Sequence, residues 1–297
     1  MISVLDAGLI LLLIVTLYVV CSPRLAERLY HPALFEPYKY PRGSYESEFA
    51  KSGRLEDLFF PTQSGKRLHA WYFKADGGSK TILVCHGNSG NISDMDGLIE
   101  LLLQSGSSVF VFDYQGFGRS DGRPCVRGIC SDARAAYHYL VETLKVDPCD
   151  LVVYGESLGG AVACELARNE PINALILQST FSCLTRISFE NYAILGIFPE
   201  FLYPPPFLNT AALLKTTIKV PVLIIHGEKD ADVRITHAHT LLAFAQEPKT
   251  LICLPNTEHN VIAQSDQELF VTGVKEFLQR LDGSDVCLAL YQCGANT

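Results

Sequence analysis

The stretch that most constrains this chain is Gly155-Glu156-Ser157-Leu158-Gly159. The apolar run Leu151-Val152-Val153-Tyr154 before it predicts a buried strand, and the run from Gly160 to Ala167 after it predicts a helix. A serine at the tip of a strand-to-helix turn occupies strained backbone, and neighbouring chain has to pass close to it. Glycines two residues before and two after remove the Cβ atoms that would clash. Gly-x-Ser-x-Gly in this setting is the sequence form of a nucleophile elbow. The helix that begins beneath the serine favours negative charge developing at its N-terminus.

The alternation around the elbow predicts an α/β fold, with a mostly parallel central sheet and helices on both faces. Thr81–Cys85 is a continuous apolar run of the kind central parallel strands show. It ends in the small-residue loop His86-Gly87-Asn88-Ser89-Gly90-Asn91, and a helix follows through Leu98, Leu101 and Leu102. Val109–Phe112 is the next strand; Ile129, Ala133, Ala136, Tyr137, Leu140 and Leu144 then recur near a period of 3.6. Further strands are expected at 174–177, 222–225 and 250–254, with helices near 233–246 and at 270–281. Leu58-Phe59-Phe60 and 68–73 read as antiparallel strands around the turn Gln63-Ser64-Gly65-Lys66. The loops after the parallel strands gather at one edge of such a sheet, where functional groups collect.

A serine hydroxyl needs a base to take its proton, and the base needs an acid to fix its tautomer. Of the eight histidines, His259 lies in the loop between the final strand and the final helix, and is the expected base. Asp230 follows the preceding strand in Ile225-His226-Gly227-Glu228-Lys229-Asp230 and is the expected acid; Asp232 is the alternative, and Glu228 comes earlier in the turn. His86 and His226 read as loop-bonding residues, His237 and His239 as surface residues of a helix, and Asp113 as structural. Two backbone N–H groups should meet an oxyanion, one from Leu158 and one from Asn88.

A net charge of −8, a pI near 5.5 and the lack of a Lys/Arg cluster argue against nucleic-acid partners. The ten cysteines make no metal spacing and are read as free thiols, with Cys287 and Cys293 the pair most prone to be bridged. No cofactor or metal is expected. From Ala7 to Pro23 there is no charge, which predicts an uncleaved single-pass anchor over 1–23, near the lower limit of about 17 residues for spanning a bilayer. Arg24 and Arg28 follow it, so the positive-inside rule puts the rest of the chain on the cytoplasmic side. Residues 24–55 read as a linker packed on the domain, 56–281 as the α/β domain and 282–297 as a tail.

With these residues in place, the chain resembles the α/β-hydrolase superfamily. More narrowly it resembles the membrane-anchored serine hydrolases of that superfamily that include protein depalmitoylases. The narrower resemblance is carried by 86–91, by Asp113-Tyr114-Gln115-Gly116-Phe117-Gly118-Arg119-Ser120, by Gly155 to Gly160, by 226–230 and by Glu258-His259-Asn260. It implies a Ser-Asp-His hydrolase of ester or thioester bonds. The expected lid, at about 182–218, is rich in apolar residues, among them Phe189, Tyr192, Ile194, Ile197, Phe198, Phe201 and Tyr203. Such a lid suits a hydrophobic acyl group, and Phe181, Phe198 and Tyr203 are the expected substrate contacts. A peptidase or amidase on the same residues, or a non-catalytic membrane-tethered binding protein, is the alternative.

Overall fold

The computed structural model describes residues 4–39, 55–75, 77, 80–259 and 261–281; the expected tail at 282–297, including Cys287 and Cys293, lies outside them. The strands are β1 (Glu36–Pro37), β2 (Leu55–Pro61), β3 (Arg67–Phe73), β4 (Thr81–Cys85), β5 (Ser89–Gly90), β6 (Ser108–Phe112), β7 (Leu151–Glu156), β8 (Ala174–Gln178), β9 (Val222–Gly227) and β10 (Lys249–Leu254). The helices are α1 (Val4–Val20), α2 (Glu27–Leu34), α3 (Asp96–Leu103), α4 (Val126–His138), α5 (Leu158–Asn169), α6 (Leu184–Asn191), α7 (Thr210–Thr216), α8 (Thr236–Phe244) and α9 (Gln267–Leu281).

Eight strands form one sheet in the order β10-β9-β8-β7-β4-β6-β3-β2. β3 runs antiparallel to both β2 and β6, and the remaining pairs are parallel. Strands β4, β6, β7, β8 and β9 are buried at every position. That is why their sequences are unbroken apolar runs rather than alternating ones.

Alternate side chains divide between two cores. Leu83 and Cys85 face one side with Ile129, Ala133, Val162 and Leu241 from α4, α5 and α8. Ile82 and Val84 face the other with Ile99 and Leu102 of α3 and Phe270 and Val274 of α9. β7 sits centrally between β4 and β8, so the turn after it opens at the middle of the sheet's carboxyl edge.

The expected linker is structured where it is described. Pro37 and Glu36 of β1 pair in parallel with Gly90 and Ser89 of β5. Gly118 N–H donates to Tyr38 O (3.0 Å), and Lys39 Nζ donates to Ser120 O (3.0 Å). This N-terminal strap therefore crosses above the loops that follow β4 and β6.

The expected membrane-spanning segment over 1–23 is corrected. α1 has 17 residues, a length of about 25 Å against a hydrocarbon core of about 30 Å. Among the described residues no helix is long and apolar enough to cross a membrane. The helix stops at Val20 because the chain turns through Cys21-Ser22-Pro23 toward the lid. Arg24 N–H donates to Leu202 O (2.8 Å), and Tyr18 Oη donates to Ile197 O (2.5 Å). The free-thiol expectation is also corrected at one place. Cys85, Cys164 and Cys253 are among seven free cysteines of the described residues, but Cys149 is disulfide-bonded.

Leu83 is fully buried at the centre of the sheet. Leu83→Ala should lower stability by about 2–5 kcal/mol, read as a fall in the urea midpoint at unchanged slope. A loss below about 0.5 kcal/mol would contradict a close-packed position.

Candidate active site

At the end of β7 the backbone of Ser157 takes φ 52° and ψ −119°, a left-handed conformation that a residue with a Cβ adopts only under constraint. The constraint is visible on both sides of it. Ser157 N–H donates to Gln178 O (2.9 Å), and Thr180 Oγ1 donates to Ser157 O (2.6 Å). A Cβ at Gly159 would collide with the backbone oxygens of Cys85 and His86, and one at Gly155 with the backbone of Gly159 and Gly160. These are the close approaches that the sequence spacing implied. Leu158 is the first residue of α5, so its N–H lacks an intrahelical acceptor.

Asp230 follows β9, with its side chain wholly shielded from solvent. Its Oδ1 accepts from the N–H groups of Asp232 (3.0 Å) and Val233 (2.8 Å), and its Oδ2 accepts from His259 Nδ1 (2.7 Å). The other ring nitrogen, His259 Nε2, lies 3.1 Å from Ser157 Oγ and is placed to accept its proton. The structure thus brings Ser157, His259 and Asp230 into one hydrogen-bonded line. Asp232, the alternative acid, is exposed and supports Asp230 through its backbone.

His226 Nε2 donates to Val233 O (2.6 Å) and lies 3.5 Å from Asp230 Oδ2, steadying the same loop. The loop carrying His259 is fixed by Asp266. Its Oδ2 accepts from Asn256 N–H (2.7 Å) and Thr257 Oγ1 (2.8 Å).

Glu156, the residue before Ser157, was not singled out in the sequence. It is buried, and burial pushes its carboxyl up to about 7, partly offset by His259 nearby. The pattern Gly-x-Ser-x-Gly leaves that position free, so the acidic residue there was the available signal. For His259, burial would lower the pKa; the hydrogen bond and charge of Asp230, with the charges of Glu156 and Asp232, outweigh this and raise it.

A cavity of about 470 Å³ opens at this line of residues, touching Ser157, Leu158, Asn88 and His259. Phe181 and Tyr203 line it. Phe198 does not: its ring stacks on Tyr18 at 5.1 Å and meets Tyr30 edge-on at 6.4 Å. It therefore pins α1 to the lid rather than forming the wall. One wall comes instead from the N-terminal segment, through Glu27, Tyr30, His31 and Phe35. The aromatic cluster in an otherwise polar linker was the only hint of this.

His237 corrects the surface reading. It is fully buried on α8, where its Nδ1 accepts from Ser182 N–H (3.0 Å) and its Nε2 lies 3.1 Å from Glu190 Oε2. It ties the lid helix α6 to the core, and His239 is exposed. Asp113 has the structural role expected: its Oδ1 accepts from Ile92 N–H (2.9 Å) and its Oδ2 faces His69 Nδ1 (3.1 Å).

A mostly parallel sheet flanked on both faces, with Ser157, Asp230 and His259 on loops at its carboxyl edge, has the form of the α/β-hydrolase class of fold. Residues 80–218 match the family model for the alpha/beta hydrolase fold. The chain is 37% identical over 224 residues to the uncharacterized protein Rv2307c of Mycobacterium tuberculosis, covering 75% of this chain and 78% of that one. It is 32% identical over 244 residues to the alpha/beta hydrolase domain-containing protein WAV2 of Arabidopsis thaliana, covering 76% and 79%. Among solved structures, the Pyrococcus furiosus esterase Pf2001 superposes with a TM-score of 0.68 at 23% identity, over 82% of this chain and 98% of that one. The chain belongs to the α/β-hydrolase superfamily.

The raised pKa of His259 is open to measurement. Its ring should titrate by NMR above the ordinary value of 6.5, because protonation is favoured by the adjacent carboxylates. Asp230→Asn should bring the midpoint down, and Glu156→Gln should do so by less. An unchanged midpoint in Asp230→Asn would show that Asp230 does not set the charge of the ring.

Proposed function

We propose that the protein is a serine hydrolase that cleaves ester or thioester bonds of hydrophobic acyl substrates. The observation that carries the proposal is the line from Ser157 through His259 to Asp230, with its serine end open to the cavity. Ser157 Oγ attacks the acyl carbonyl while His259 Nε2 takes its proton. Asp230 holds the tautomer and stabilises the imidazolium. The backbone N–H groups of Leu158 and Asn88 stabilise the oxyanion. His259 then returns the proton to the leaving alcohol or thiol. A water activated by the same histidine releases the acid and restores Ser157.

The cavity and its surroundings support this substrate class. About 470 Å³ falls within the usual range of small-molecule sites, and Phe181, Leu184, Ile187 and Leu195 give it an apolar wall. The similarity to a solved esterase, and the resemblance to the depalmitoylase group, support an acyl ester or thioester over an amide.

The protein is proposed to be membrane-bound through α1. Leu9, Leu11, Leu12, Leu13, Ile14 and Leu17 are each 58–68% exposed, on all sides of the helix. A helix apolar all round has no stable place in water.

A fluorophosphonate probe should label the wild type at Ser157 and leave Ser157→Ala unlabelled; a folded wild type that resists labelling would end the hydrolase reading. Turnover of a medium-chain ester should fall on the order of 10⁶-fold in Ser157→Ala and about 10⁴-fold in Asp230→Asn. Asp232→Asn should stay close to wild type, and a larger loss there than in Asp230→Asn would reassign the acid. Because neutral His259 is the base, kcat/KM should rise with pH through a midpoint above histidine's ordinary value of 6.5. A panel of esters and thioesters of graded acyl length against peptides reads the substrate class directly.

A further inference from the structure

Two elements frame the mouth of the cavity. α2 supplies Tyr30 and His31 to its wall, and the lid supplies Leu184, Ile187 and Leu195. Both elements also carry large apolar side chains on their outward side. Leu29 on α2 is 75% exposed, and Ile194, Ile197 and Phe201 of the lid are 73%, 57% and 63% exposed. The inner side of the lid already holds Leu195, Phe198, Leu202 and Tyr203, so these outer residues are surplus to its packing. An exposed cluster of this kind marks a surface that meets an apolar partner.

At Ile197 and Phe201 these residues adjoin the end of α1 and the turn after it. Tyr18, in the last turn of α1, donates to Ile197 O and stacks on Phe198. Arg24 Nη1 donates to Phe201 O (3.0 Å), while its backbone N–H reaches Leu202 O. α1 is thus fixed to the lid at the point where the lid's exposed apolar residues lie. Exposed Arg24 and Arg28 border the cluster, matching the phosphate groups of a bilayer surface.

We propose that Leu29, Ile194, Ile197 and Phe201 form a lipid-contacting rim, which seats the mouth of the Ser157 cavity against the phospholipid bilayer. Acyl chains then pass from the lipid into the cavity without crossing water. α1 supplies attachment and the rim supplies orientation. The rim's role in substrate delivery rests on the hydrolase reading above; its contact with lipid does not.

The test uses the full chain and phosphatidylcholine–phosphatidylserine vesicles. A variant combining Leu29→Asp, Ile194→Asp and Phe201→Asp alters only exposed side chains outside the cavity. It should match the wild type on a short soluble ester. On a long-chain ester embedded in the vesicles it should lose about tenfold or more. Equal rates on the embedded ester would overturn the proposal. So would a wild-type dimer, seen by light scattering, that the triple variant splits, because the rim would then bind a second copy.

Contact is read separately with Phe201→Trp. Trp71 is fully buried and serves as the unresponsive reference. Vesicles should shift the added emission to the blue, and brominated lipid should quench it. No quenching would overturn the proposal. If neither protein cleaves the soluble ester, the hydrolase reading falls and the quenching alone decides the rim.

Discussion

The close approach of α5 to β4 is the constraint on which the site depends. Gly159 lies so near the carbonyls of Cys85 and His86 that no side chain fits between them. That contact lets the chain reverse at Ser157 and holds it at φ 52°. Hydrogen bonds from Ser157 N–H to Gln178 O and from Thr180 Oγ1 to Ser157 O tie the same turn to β8. The strain of a non-glycine residue in this conformation, of order 1–3 kcal/mol, is sustained by strands buried along their whole length. The rigid centre of the sheet is therefore the support of the Ser157 turn.

The central strands were legible because parallel strands covered on both faces must be continuously apolar, and Thr81–Cys85, Ser108–Phe112 and Leu151–Tyr154 are close to that. Ser157, Asp230 and His259 were expected to meet because each follows a parallel strand in an order that the fold class fixes. What escaped the sequence depended on contacts between distant segments. Phe198 was read as a pocket residue for its apolar character, but Tyr18 and Tyr30, far away in the chain, claim its ring. His237 was read as a surface residue because helical spacing does not reveal that Ser182 and Glu190 close over it. The strap formed by β1 has only two strand residues, too few for any periodic pattern.

The lid shows the same division on a smaller scale. Its sequence gives apolar content but not direction. In the structure Leu195, Phe198, Leu202 and Tyr203 turn inward, whereas Ile194, Ile197 and Phe201 turn outward. A layer with apolar residues on both sides is at home between a protein interior and another apolar phase. Its inward residues join the main core, and polar contacts add to this through Glu190 and His237 on one side and Arg186 with Thr236 (2.9 Å) on the other.

The strap that runs from α2 through β1 has a consequence for how such a protein diversifies. It pairs with β5 beside Asn88 and contributes Tyr30, His31 and Phe35 to the cavity. The segment that follows the apolar helix is thus also part of the wall of the cavity at Ser157. Exchanging one N-terminal region for another would reshape that cavity in the same step. Trimming it for convenience would yield a domain with one wall missing, whose preferences describe the truncated shape rather than the protein.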